Sequence, residues 1–201
     1  MADANAIREA ALEYGRASKR ANALAALACG AIPALVLGWL WQPAPWAWVV
    51  GLLLGLLYAN FFEYIYHRWL LHTPGGFLTK YHLIHHSTVG LPDEPAHVTI
   101  GGGPQYVALL FAVNGLLVVP LDWALGLGLA PGMFLAFGLY MIATEEVHWR
   151  IHVGAWPRQG RGWLPRMMHW SREHHFAHHD YPNGRFNVFF PLFDWLFGTA
   201  R

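Results

Sequence analysis

Residues Ala21–Trp41 form a run of twenty-one residues without one charged side chain. As a helix, a run of that length covers about 30 Å, the thickness of a bilayer's hydrocarbon core. No other feature constrains the fold as strongly. In lipid, backbone N–H and C=O groups must be satisfied internally, so an apolar spanning segment of this length is a helix. The pattern then repeats. QPAP at 42–45 is a turn, with Pro43 and Pro45 breaking the helix. A second span starts at Trp46 and returns the chain across the membrane to His67. A third covers about Pro104–Val119, Pro120 to Pro131 makes a short return, and a fourth runs from Pro131 to about Thr144 and continues as a helix to His152.

The expected fold is therefore an all-α membrane protein of four transmembrane helices. Hydrophobic residues are 55% and charged residues 12%, too apolar for an ordinary soluble domain. Residues 1–20 read as a short amphipathic surface helix, retained because they lack the basic start of a signal peptide. Residues 153–201 read as a polar cap, and 1–201 as one domain. Net charge of +1 gives no reason to expect a nucleic-acid partner, and the single Cys29 can form no internal disulfide. Every Lys and Arg lies in 1–20, at Arg68 and Lys80, or from Arg150 onward. The outer turns carry only Asp122. By the positive-inside rule both termini and the cap are cytoplasmic in a multi-pass protein.

The thirteen histidines are then the chemical signal. Ten fall into four groups: His67/His72 (HX4H), His82/His85/His86 (HXXHH), His148/His152 (HX3H) and His175/His178/His179 (HXXHH). One buried His is usually a packed core residue. Four groups at one predicted membrane face read as ligands of a dinuclear metal site held by the cap, because ten donors exceed what one ion accepts. Imidazole suits iron, zinc, copper and nickel alike. On a regular helix, residues four apart lie about 40° apart and residues five apart about 140° apart. That spacing sends His67 and His72 to different ions, divides each HXXHH box between the ions, and lets His148 and His152 share one. His174 should point elsewhere. Glu63 and Glu145 share helix faces with ligand histidines, and Asp180 follows His179. All three are candidates to accept a ligand's outer N–H.

These motifs resemble the fatty acid hydroxylase/sterol desaturase superfamily of membrane di-iron enzymes. The likeness covers about residues 60–200, from EYIYHRWLLH and KYHLIHHS to HHFAHHDYPNGRFNVFFPLFDWLFGT. The HX3H box and the PLFDWLFGT ending resemble the fatty acid hydroxylase branch most. The resemblance implies two Fe ions (with Zn able to replace them in purified protein), O2, an external electron donor, and hydroxylation of a fatty acyl chain or related lipid in the bilayer. A separate redox partner, a ferredoxin or cytochrome b5-like protein, is expected, since no fused cytochrome domain fits in the chain. Lipid or sterol desaturation and carotenoid hydroxylation are the alternatives within that chemistry. Outside it, a membrane metal-binding or transport protein would want ionisable ligands near mid-membrane, where the predicted spans have almost none. A zinc protease would carry HEXXH, which does not occur.

Overall fold

The computed structural model describes residues 3–74, 76, 78–99, 101–154 and 162–201. These residues form helices and connections, without a strand among them. The helices are α1 (Ala4–Trp41), α2 (Pro45–Ile65), α3 (Thr79–Thr88), α4 (Pro104–Leu125), α5 (Ala130–Val153), α6 (Trp163–Asp180) and α7 (Leu192–Leu196). A π-helical turn, Tyr66–Leu71, extends α2, and a 3-10 turn, Glu94–His97, follows α3. Residues 1 and 2 of the expected surface helix, Gly75 of the TPGG turn and 155–161 of the expected cap lie outside the described residues.

Among the described residues, three stretches are long and apolar enough to cross a membrane: Ala4–Trp41, Pro45–Leu71 and Pro104–Leu125. Large apolar side chains on them, among them Leu24, Leu35, Leu53 and Leu116, are exposed, as lipid-facing surfaces require. The expected fourth span lies in α5, whose second half carries Glu145, Glu146 and Arg150. It is not among the three.

Two boundaries differ from the expectation. Residues 4–20 are not a separate surface helix but the start of α1, which runs unbroken to Trp41. No strong breaker separates the polar segment from the apolar one, and Pro33 is accommodated inside the helix. Likewise, α4 continues past Pro120, because a proline removes only one hydrogen bond from the ladder. The helix stops at Gly126, whose φ of 64° is the left-handed conformation that closes helix ends. Asp122 Oδ2 then accepts the Ala130 N–H at 2.7 Å, bracing the connection into α5.

The chain divides into two compact units. One comprises Arg20–Ala59 and Gly103–Ala143. Small residues let its backbones approach closely: a methyl on Gly55 would stand 2.7 Å from Met133 Cα. Within this unit the Tyr58 hydroxyl donates to Asn114 Oδ1 at 2.7 Å, while Asn114 Nδ2 donates to the Leu110 carbonyl.

The other unit comprises Met1–Lys19, Asn60–Gly102 and Thr144–Arg201. Here Val147, Ile151, Met168 and Val188 form a buried apolar cluster, flanked by Phe176 and Phe189. Glu146 pairs with both Lys19 and Arg150, joining the start of α1 to α5. All ten box histidines belong to this unit.

Candidate metal centre

The π turn decides the first half of the site. Each of its hydrogen-bonded loops holds one more residue than in an α-helix, so residues five apart return to the same side. His67 and His72 therefore face together, with ring centroids 5.3 Å apart and nearly parallel at 23°. This corrects the expectation that a regular helix would send them to different ions. RWLL contains no Gly or Pro, and the change is in hydrogen-bond register rather than a break. The turn ends where Thr79 Oγ1 donates to the Leu70 and Thr73 carbonyls, at 3.2 and 2.6 Å. Arg68 lies over the rings of Tyr64, Trp69 and Phe186, holding the turn's outer face.

On α3, His82 and His86 share one face and His85 projects from another. His82 Nε2 lies 3.0 Å from Nε2 of each of His67, His72 and His86. From α6, His178 Nε2 reaches within 3.1 Å of His72 Nε2. These five (His67, His72, His82, His86 and His178) offer nitrogens that all lie within 4.8 Å of one another.

A second group forms beside the first. His85, His152, His175 and His179 meet the same 4.8 Å condition. His175 Nε2 lies 2.9 Å from that of His152 and 3.1 Å from that of His179. His148 falls outside that condition, yet its Nε2 lies 3.1 Å from His85 Nε2 and 3.0 Å from His175 Nε2. These two contacts make His148 a member of this group. The groups adjoin, with the His86 and His179 ring centroids 4.3 Å apart. Both HXXHH boxes are thus divided, each giving rings to both groups.

This donor set fits metal ions. One N–H proton per ring cannot satisfy an Nε2 with three imidazole neighbours, as His82 and His175 have. Nitrogens about 3 Å apart are instead the spacing of neighbouring ligands at right angles around an ion about 2.1 Å from each. Burial, followed by the neighbouring rings, pushes the basicity of His82, His85, His175 and His178 well below the ordinary range, and that of His86 down to about 4. These rings are therefore neutral at pH 7, the form that binds a metal.

Among the described residues, three of the ten give their outer nitrogen a protein acceptor. His67 Nδ1 meets the Phe186 carbonyl at 2.5 Å, His178 Nδ1 the Gly184 carbonyl at 2.6 Å, and His152 Nδ1 the Glu94 carboxylate at 2.8 Å. The Nδ1 atoms of His82, His85, His148, His175 and His179 are buried and have no hydrogen-bond partner among the described residues.

The carboxylates named from sequence stand differently. Glu63 is buried and accepts from Asn187 Nδ2 at 2.9 Å and from the Val188 N–H at 3.2 Å, which fixes the segment after α6. Glu145 is buried on α5. Asp180 is exposed at the end of α6 and bonds to no box histidine among the described residues, because the helix ends with that side chain turned outward. His174 does point elsewhere: its Nε2 lies 3.3 Å from Asp194 Oδ2, and Trp170 stacks on its ring. Sequence reasoning missed Glu94. Within 73–103 the only acidic residues are Asp93 and Glu94, but no helical spacing ties either to a histidine box. The Phe186 and Gly184 carbonyls carry no side-chain signal at all.

The family model described as Fatty acid hydroxylase matches residues 52–199. No curated protein matches the chain, and no solved structure does.

Proposed function

The chain belongs to the fatty acid hydroxylase family, and on that premise we propose that it is an O2-dependent di-iron membrane hydroxylase acting on a lipid chain. The observation that carries the reading is the sorting of ten imidazoles into two adjoining groups of five, each with its Nε2 atoms converging. His67, His72, His82, His86 and His178 would hold one iron, and His85, His148, His152, His175 and His179 the other. When bound, the irons supply the activation of O2, one atom of which enters a C–H bond while the other leaves as water, with two electrons and two protons from a donor.

The protein's part is to hold and shield. Five nitrogen donors would leave a six-coordinate ion one position for a reactant. Buried neutral rings keep protons from competing for the ligand nitrogens. The backbone carbonyls and Glu94 fix ring orientation. Apolar exposed helices suit a bilayer, in which a lipid chain is dissolved, and the substrate enters from there. Electrons come from a separate ferredoxin or cytochrome b5-like protein. In this reading the first half of α5 is a fourth span, and both termini and the metal centre are cytoplasmic, a placement that the one-sided Lys and Arg distribution supports.

Expression in a host, with total lipids compared with and without the protein under ¹⁸O₂, tests the reading. A new lipid species carrying one labelled oxygen is expected. A new double bond with no label would make the enzyme a desaturase, and unchanged lipids in cells supplied with a donor would count against an oxidative enzyme.

A further inference from the structure

We propose that Glu94 makes the two imidazole groups unequal, so that the group containing His152 is the first to take up a divalent transition-metal ion. The inference rests on reading the ten histidines as a two-ion centre and uses nothing about the substrate. Glu94 stands outside every histidine box, on the 3-10 turn after α3. Its Oε1 lies 2.8 Å from His152 Nδ1, and the two side chains are 8% and 0% exposed. Its other oxygen accepts the Gly90 N–H at 3.1 Å, so the carboxylate is held from both ends.

The first group is held differently. His67 and His178 donate their outer N–H to the carbonyl oxygens of Phe186 and Gly184. A carbonyl is a neutral acceptor, whereas a carboxylate brings a full negative charge. An imidazole bonded to a carboxylate is the stronger donor at its inner nitrogen. Burial strengthens the effect, because little water screens Glu94 from a cation on the far side of the ring. One group therefore gains an anionic partner on the far side of the His152 ring from the ion it would hold, and the other gains orientation only.

Two cations in adjoining sites repel, which separates the binding steps whatever the ligands. The order of filling is therefore the test. Full-length protein in detergent, stripped with a chelator, is titrated with Co²⁺ and followed by its visible absorption. At one equivalent the wild-type spectrum is that of an ion in the His152 group, so it should be kept in His67→Ala and replaced by a different spectrum in His152→Ala, where the ion must enter the other group. In the His67→Ala background, where the His152 group fills first, Glu94→Gln should weaken that step by about 10–100-fold. Loss of the wild-type one-equivalent spectrum in His67→Ala with its retention in His152→Ala would overturn the inference, as would a first step unmoved by Glu94→Gln in the His67→Ala background. The two histidine variants decide the matter even if Glu94→Gln does not fold. Protein that fills in the stated order but makes no hydroxylated lipid refutes the proposed activity and leaves this inference standing. A chain binding fewer than two ions overturns both.

Discussion

His67 and His72 are five residues apart, yet their rings stack at 23° with centroids 5.3 Å apart, because the chain between them is π-helical. A π turn is an α-helix with one residue added to the hydrogen-bonded loop. The spacing HX4H is thus the helical spacing HX3H carrying one extra residue, and it serves the same end as His148 and His152 on α5.

That equivalence predicts an asymmetry between insertion and deletion. Removing Leu70, an exposed residue of the turn, leaves His67 and His72 four apart on a regular helix, still on one face. Inserting an alanine after Trp69 swings His72 by about 100°. The deletion should keep most metal binding. The insertion should weaken it by more than about a hundredfold, beyond the loss typical of an outer hydrogen-bond partner. Metal content after dialysis against graded chelator measures both.

A second prediction concerns pH. Burial holds His82, His85, His175 and His178 well below their ordinary basicity and His86 at about 4, while in the unfolded chain these rings titrate near 6.5. Above about 6.5 both states are neutral and the histidines cost no stability. As pH falls below that value the unfolded chain takes up protons that the folded chain refuses, so stability falls, for His86 down to about pH 4. Thermal unfolding of chelator-treated protein should therefore shift to lower temperature from pH 7 to pH 5. A melting temperature that rises or stays level over that range would contradict the burial of these rings as neutral groups.

Much of this was legible in the sequence, for identifiable reasons. Ala21–Trp41 announces a helix because composition and length alone set what a bilayer admits. The HXXHH boxes divide between two groups because three ring directions on a regular helix cannot all face one point. His67 and His72 were misjudged for a reason of the same kind. The angle was right for an α-helix, but spacing does not reveal a change of hydrogen-bond register. Glu94 was invisible because its link to His152 spans fifty-eight residues. The carbonyls of Gly184 and Phe186 were invisible because any residue has one. Nor could the start of α1 be separated correctly, since polarity changes near residue 20 while helix formation does not.

Asp194 yields a third prediction. It is fully buried, and its carboxylate accepts the Phe186 and Asn187 N–H groups at 2.9 and 2.8 Å and the Thr199 hydroxyl at 2.7 Å. The backbone it fixes is the one whose Phe186 carbonyl holds His67. Asp194→Ala should cost about 3 kcal/mol or more, since several charge-assisted hydrogen bonds are lost together. It should also loosen the ion held with His67 more than the ion held with His152. Denaturation in detergent and metal retention of single-site variants would show this, and equal loosening of both ions would assign Asp194 to general stability alone.

The last prediction concerns orientation. Ala44 lies in the exposed connection between α1 and α2, and Asn183 in the exposed segment after α6. The Lys and Arg residues surround the second position in sequence and avoid the first: none lies between Arg20 and Arg68, whereas Arg172 and Arg185 flank Asn183. Because cationic loops are retained on the cytoplasmic side, Ala44 should face outward and Asn183 inward. Single cysteines at the two positions, in a Cys29→Ser background, report this through a thiol reagent that cannot cross membranes. Intact cells should label at 44 and not at 183, and permeabilised cells at both. Labelling of intact cells at 183 but not at 44 would invert the orientation and contradict the cytoplasmic metal centre of the function proposed.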